Sequence, residues 1–240
     1  MKYCEHKRVS QFPFLRDNCN SIQQCFDPTL HKKLCSKSSM NMIKTVRLRA
    51  QLLEKLLKMF SNLKVIVLVR DPRAVLNSRW SGYFGWCGDK PHCREVSSFC
   101  SELSNDITRI ITLADTYSNN IKIVRYEDLV TNKTLILTNT LKTLGISVTY
   151  QRISNFFSAI ESDTKFIYNM DKIGLMSYRK DPLHVAKKWL GTVPEKVVKL
   201  IEEKCELPMK LLGYPDRHSI FSRGPIVVKA HENVQNILIQ

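Results

Sequence analysis

A continuous aliphatic run limits the folds open to this chain more than any other feature. Residues 64–69 read KVIVLV, a β-branched pattern typical of a strand that is buried on both faces of a parallel sheet. Asp71 and Pro72 follow almost at once, and these residue types are favoured at the N-cap and first position of a helix. A membrane-spanning helix needs about 20 apolar residues, so this run is too short to cross a bilayer. It predicts instead a buried strand that leads into a helix.

The remainder of the chain alternates between strand and helix patterns. Further strands are predicted at 43–48 and 121–124, and helices at 52–60, 95–117, 135–144 and 185–205, the last with a break at Pro194. Such alternation predicts an α/β fold with a mainly parallel sheet flanked by helices. We divide the chain into an irregular Cys- and Lys-rich segment (1–42), one domain (43–215) and a tail (216–240).

Composition excludes several classes of protein and favours an anionic partner. The 240 residues are 43% hydrophobic, which excludes a disordered or collagen-like chain. The formal net charge is +15, and no basic run reaches the density of a nucleic-acid-binding tail or is interleaved with aromatic residues. The surplus suits an anionic small ligand, an anionic polymer or an anionic membrane surface. A solvated basic surface without a partner is the alternative.

Arg70 and Ser78 are the leading candidates for a binding site. In open α/β sheets, ligands bind at the carboxyl ends of strands, which is where Arg70 stands. Ser78 lies two helical turns after Asp71 and therefore on the same side as the junction between strand and helix. A guanidinium fork and a hydroxyl together suit a phosphate. Alternatively, Arg70 pairs with Asp71, and Ser78 caps its helix or bonds back to it.

The segment 68–79, LVRDPRAVLNSR, resembles the 3′-phosphate-binding motif of Golgi carbohydrate sulfotransferases. The resemblance is strongest to enzymes that act on the 6-hydroxyl of N-acetylglucosamine, galactose or N-acetylgalactosamine. Similar segments stand at 43–48 (IKTVRL), 124–130 (VRYEDLV), 177–180 (SYRK), 185–189 (VAKKW) and 205–214, so the resemblance covers roughly residues 40–215.

This resemblance implies a P-loop-NTPase-like sulfotransferase fold and an enzyme that uses 3′-phosphoadenosine 5′-phosphosulfate (PAPS) without a metal. It implies that Arg70 and Ser78 hold the 3′-phosphate and that Arg179, beside Lys180, approaches the same group. A solvated basic loop is the alternative for Arg179 and Lys180. The acceptor implied is a glycan or proteoglycan rather than a nucleic acid, and the compartment is the Golgi lumen, reached through a membrane anchor.

The chain departs from this family at its amino-terminal side. The family has a signal anchor and a Gly/Ser-rich 5′-phosphosulfate loop, whereas no glycine precedes Gly82 here. We therefore expect an amino-terminally incomplete version of a longer enzyme, and no residue is assigned as the general base. The alternative is a catalytically inactive module that binds a nucleotide or glycan. A basic nucleic-acid-binding protein, supported only by net charge, ranks third.

Eight cysteines and the N-glycosylation sequon at Asn132 favour the secretory pathway, although chance and buried free thiols could also explain them. Cys87, Cys93 and Cys100 lack the paired spacing of a zinc site, so a local disulfide is expected, with the third cysteine free or paired elsewhere. The pairing of three further cysteines stays open, namely Cys19, Cys25 and Cys35.

Glu127 and Asp128 could form a carboxylate pair for acid–base chemistry. A structural role is favoured, in which they orient Arg125 and begin the next helix, because adjacent strand residues point to opposite faces. The tryptophans are interpreted as core or loop anchors, with sugar stacking by Trp86 a weaker alternative.

Overall fold

A computed structural model describes residues 27–46, 48–81, 87, 90–162, 181–223 and 225–240. The described residues fall into two units, of which the first comprises 27–46 and the second comprises those from 48 onward. The described part of the first unit contains the helix α1 (Pro28–Ser36). Residues 43–46, predicted as part of a strand, have no strand structure, and Ile43 is 84% exposed. The strand prediction is wrong for them because no described strand supplies the partner that an isolated strand requires.

The described part of the second unit contains two strands, β1 (Val65–Val69) and β2 (Ile121–Arg125), among many helices. The helices are α2 (Ala50–Met59), α3 (Pro72–Ser81), α4 (Pro91–Arg94), α5 (Val96–Thr116), α6 (Tyr126–Thr131), α7 (Lys133–Thr143), α8 (Tyr150–Ser162), α9 (Pro182–Lys187), α10 (Trp189–Thr192), α11 (Glu195–Lys204), α12 (Glu206–Leu212), α13 (Arg217–Arg223) and α14 (Glu232–Gln235). The predicted long helix, the helix after Asp71 and the break at Pro194 are confirmed. None of the described helices combines the length and apolarity needed to cross a bilayer.

The two strands pair in parallel, with Val65 opposite Ile121 and Val69 opposite Arg125. This arrangement confirms the predicted α/β class with parallel pairing, although the sheet is small and the unit is mostly helical. Burial on both faces was predicted for β1 and is wrong, because Leu68 is 60% exposed and only Val69 of this strand is buried. Ile66 packs against the small apolar cluster that contains Val124 and Ile136. The carboxyl ends of both strands lie at one edge of the sheet.

Residues 216–240 are not the tail that their weak helical period predicted. Ile237 accepts a hydrogen bond from the Ile123 N–H at 2.7 Å, and Ile239 donates its N–H to the Ile123 carbonyl at 2.9 Å. The final residues therefore lie parallel to β2, and Val234 is fully buried. A short apolar run without helical period completes the core here by pairing with β2, which the periodicity alone did not reveal.

The described part of the second unit contains two disulfides. Cys87 pairs with Cys93, which confirms the local bridge, and Cys100 pairs with Cys205 across 105 residues. The second bridge joins α5 to the junction between α11 and α12, and both of its cysteines are fully buried in the main core. Cys35 is exposed in the first unit, whereas Cys19 and Cys25 lie outside the described residues.

Candidate functional site

The candidate site begins at the junction between β1 and α3. Asp71 caps the helix because its Oδ1 accepts the backbone N–H of Arg73 at 2.8 Å, and Pro72 occupies the first helical position. The Asp71 carboxylate also accepts hydrogen bonds from the guanidinium of Arg73, at 3.0 Å from Nε and 2.7 Å from Nη2. Asp71 therefore pairs with Arg73, and the alternative in which Asp71 pairs with Arg70 is wrong.

Arg70 directly follows the carboxyl end of β1, and Tyr126 directly follows the carboxyl end of β2. The Nη2 of Arg70 donates to the carbonyl of Val185 on α9 at 2.8 Å, and its guanidinium carbon lies 4.8 Å from the centroid of the Tyr126 ring. Its Nε is buried and has no hydrogen-bond partner among the described residues. A buried donor without a partner costs about 1–3 kcal/mol, so this N–H is a group that a bound anion would satisfy.

Ser78 stands on α3, about 10 Å along the helix axis from Asp71 at 1.5 Å per residue. Its side chain is partly exposed, and its hydroxyl forms no hydrogen bond within the described parts of the chain. The back-bonding alternative is therefore not observed, whereas Ser81 on the same helix does bond back, to the Asn77 carbonyl. The third predicted residue, Arg179, lies outside the described residues, as does Lys180.

A buried network of ion pairs stabilises the junction between β1 and α3. The sequence analysis did not predict this network. Arg73 is fully buried, donates to Asp71 and, at 2.5 Å, to Glu202 on α11, and stacks at 4.1 Å on the ring of Trp189. Glu202 also accepts the backbone N–H of Arg217 at 2.8 Å. Glu202 is 129 residues from Arg73, so no local pattern could have identified it as the partner.

The two adjacent carboxylates have different partners. Asp128 accepts hydrogen bonds from Arg125 at 2.6 and 3.1 Å, as predicted. Among the described residues, Glu127 forms no hydrogen bond with Arg125, so that part of the prediction is wrong: its Oε1 accepts the Asp71 N–H at 3.1 Å and its Oε2 accepts the Tyr214 hydroxyl at 2.9 Å. Tyr126 begins α6, so Glu127 stands in the first turn of this helix and not on β2.

Burial raises the pKa values of both Glu127 and its hydrogen-bond partner Tyr214. Loss of solvent raises the pKa of the Glu127 carboxyl, and the nearby negative charge of Asp71 raises it further. Burial, followed by the Glu127 charge, raises the pKa of Tyr214 well above its ordinary range. Tyr214 therefore stays protonated at neutral pH and acts as a hydrogen-bond donor to Glu127.

Neither the cavity found among the described residues nor their potential metal ligands provide a second candidate site. A cavity of about 820 Å³ beside α2 and α5 includes neither Arg70 nor Ser78, and two of its cations, Lys58 and Arg109, are already paired with Glu54. Within the described ranges, no group of three or more potential metal ligands comes together. Cys87 and Cys93 form a disulfide and so are not zinc ligands.

Comparison with known proteins identifies a family. The model of a family described as "Sulfotransferase family" matches residues 17–150, a range that includes β1, α3 and β2. No solved structure matches the chain.

Several curated relatives are similar over most of the chain. Carbohydrate sulfotransferase 3 from Tetronarce californica is 29% identical over 222 residues, which is 86% of this chain and 48% of the relative. Carbohydrate sulfotransferase 1 from Mus musculus is 28% identical over 230 residues, covering 88% and 54%, respectively. Carbohydrate sulfotransferase 5 from Mus musculus is 26% identical over 229 residues, covering 86% and 57%. The chain thus spans about half the length of these relatives.

Proposed function

The chain belongs to the sulfotransferase family, and we propose that it serves the transfer of a sulfonate group from PAPS to a hydroxyl of a glycan sugar. The names of the similar proteins, all carbohydrate sulfotransferases, support a glycan or proteoglycan as the acceptor class. The formal charge of +15 would attract an anionic co-substrate and an anionic glycan.

The buried and unpaired Nε of Arg70 is the observation that carries this proposal. The neighbouring Nη2 is already held by Val185, so the guanidinium is fixed while one donor stays available. An anion with several acceptor oxygens, such as a phosphate, matches a planar donor set of this kind. The unpaired hydroxyl of Ser78 supplies a second donor. The described residues therefore fit the 3′-phosphate end of PAPS, and Arg179 is proposed as a third contact.

Arg70 and Ser78 would act by binding and orientation. PAPS supplies the sulfonate group when it is bound. By anchoring the 3′-phosphate, Arg70 and Ser78 limit where the remainder of the nucleotide lies, and positioning together with charge stabilisation supplies most of the catalysis in analogous in-line phosphoryl transfer. No described residue is assigned as the general base that accepts the proton of the sugar hydroxyl.

The second candidate is a module that binds a nucleotide or glycan without catalysis. It is supported by the same observation, because the described donors suit the binding of a phosphate and none of them is assigned to the chemical step. Transfer of radiolabelled sulfonate from PAPS to a panel of glycans separates the two. Transfer supports the enzyme, whereas nucleotide binding without transfer by this chain supports the module.

We further propose that this sulfotransferase acts as a membrane-anchored glycoprotein of the Golgi lumen. The two disulfides support an oxidising compartment, in which such bonds persist. Asn132, the acceptor of the sequon, is exposed at the junction between α6 and α7.

Replacing Arg70 with Ala is expected to weaken the binding of adenosine 3′,5′-bisphosphate by about 1.5–3 kcal/mol, roughly a 10- to 150-fold rise in Kd. The reason is the loss of charge-assisted hydrogen bonds to the 3′-phosphate. Isothermal titration calorimetry measures the change. Arg152→Ala, which removes the same charge from an exposed position on α8, is the matched control and should leave Kd unchanged. Equal affinity in the wild type and a folded Arg70→Ala variant would contradict the assignment.

A further inference from the structure

A buried hydrogen bond joins the ends of the two strands next to Arg70. Glu127, 1% exposed, accepts the backbone N–H of Asp71 at 3.1 Å, and Asp71 is itself buried. Asp71 is the residue that directly follows Arg70. The bond therefore fixes the main chain at the point where the guanidinium of Arg70 leaves the sheet.

The other oxygen of Glu127 is fixed from the carboxyl-terminal part of the chain. Gly213, with φ +73°, ends α12 in the left-handed region, and Tyr214 follows it into the core. The Tyr214 hydroxyl donates to Glu127 Oε2 at 2.9 Å. Each carboxylate oxygen thus has one donor, and each donor comes from a different part of the fold.

Glu127 has no cationic partner among the residues that the structure describes, in contrast to Asp128 beside it, which pairs with Arg125. A buried carboxyl without a counter-ion is costly to retain for packing alone, since an apolar residue would fill the same space at less cost. Its two hydrogen bonds fix the orientation of the carboxylate. One of them reaches the main chain at Asp71, next to Arg70, the proposed phosphate-binding residue.

We propose that Glu127 is a positioning residue for the phosphate site: it holds the main chain at Asp71 so that Arg70 presents its free donor, and Tyr214 holds Glu127 in place. This role rests on the proposed function of Arg70. Glu127 touches neither nucleotide nor sugar in this scheme and acts only through the main chain of Asp71.

The test measures the preference for a 3′-phosphate, defined as the Kd for adenosine 5′-phosphate divided by the Kd for adenosine 3′,5′-bisphosphate. Glu127→Ala is expected to lower this preference by about fivefold to tenfold, the effect of one lost hydrogen bond. Glu127→Gln keeps an oxygen for the Asp71 N–H and donates its amide to the Tyr214 oxygen, so its preference should stay within about twofold of wild type.

Asp128→Asn is the matched control, because it weakens an adjacent ion pair that does not reach Arg70. It is expected to lower the melting temperature and to leave the preference unchanged. A change of preference in Asp128→Asn as large as in Glu127→Ala would show a general effect of lost stability and would overturn the positioning role.

The outcomes separate the two proposals. A wild-type preference that survives in folded Glu127→Ala overturns the positioning role alone, whereas a wild-type chain that shows no preference overturns the proposed function and this role with it. If Glu127→Ala does not fold, Tyr214→Phe replaces it, since that variant removes only the hydroxyl that fixes Glu127. A twofold to threefold lower preference in Tyr214→Phe supports the role, and an unchanged preference overturns it.

Discussion

Replacing Arg73 with Met lowers the free energy of unfolding by about 3–5 kcal/mol, the typical effect of breaking a buried ion pair on one side. The guanidinium of Arg73 is fully buried and bonded to Asp71 and Glu202. Among the described residues, its removal leaves the buried Asp71 carboxylate with the backbone N–H of residue 73 as its one donor, and the cation–π contact with the Trp189 ring is lost. Urea denaturation followed by circular dichroism measures the change.

An exposed ion pair supplies the control for this variant. Arg109 is about half exposed and bonds to Glu54 between α2 and α5. Because solvent screens such a pair, Arg109→Met is expected to lower the free energy of unfolding far less than Arg73→Met does. A loss for Arg73→Met as small as that for Arg109→Met would show that the buried network contributes little to stability.

Replacing both Cys100 and Cys205 with Ala is expected to lower the free energy of unfolding by about 4–5 kcal/mol. The bridge closes a loop across 105 residues, and the entropy that a cross-link removes from the unfolded chain grows with the length of the loop. Both sulfurs lie in the main core, so their loss also removes packing around α5. Denaturant unfolding of the oxidised wild type and the double variant measures the difference.

The short disulfide between Cys87 and Cys93 provides an internal comparison. Cys87 and Cys93 are six residues apart, so the same entropic relation gives about 2 kcal/mol for their removal. The order of the two losses is the sharper expectation, because it depends on loop length rather than on absolute values. A larger loss from the short bridge would contradict this account of how the fold is held together.

Local patterns were sufficient for the elements that carry the candidate site. The β-branched run at 65–69 and the Asp-Pro pair after it predicted β1 and the start of α3, because both depend on neighbours in sequence. The positions of Arg70 and Ser78 at the end of the strand and on the helix followed directly. Their contacts did not, since Val185 is 115 residues from Arg70.

Features that depend on distant partners could not be predicted from one sequence. Glu127 was expected beside Arg125, yet its hydrogen bonds run to Asp71 and to Tyr214, which is 87 residues away. The apolar residues near the carboxyl terminus have no helical period, and their place beside β2 depends on backbone bonds to Ile123 and on packing in the core. In each case, the energetic reason for the residue lies in a partner that the local pattern does not contain.

The most direct test of the central claim is a thermodynamic cycle on the 3′-phosphate itself. The affinities of adenosine 3′,5′-bisphosphate and adenosine 5′-phosphate are measured by calorimetry for the wild type and for Arg70→Ala. If Arg70 binds the 3′-phosphate, the wild type prefers the bisphosphate by at least tenfold and Arg70→Ala loses most of that preference. A preference that is equal in both proteins would contradict the placement of the 3′-phosphate at the carboxyl end of β1.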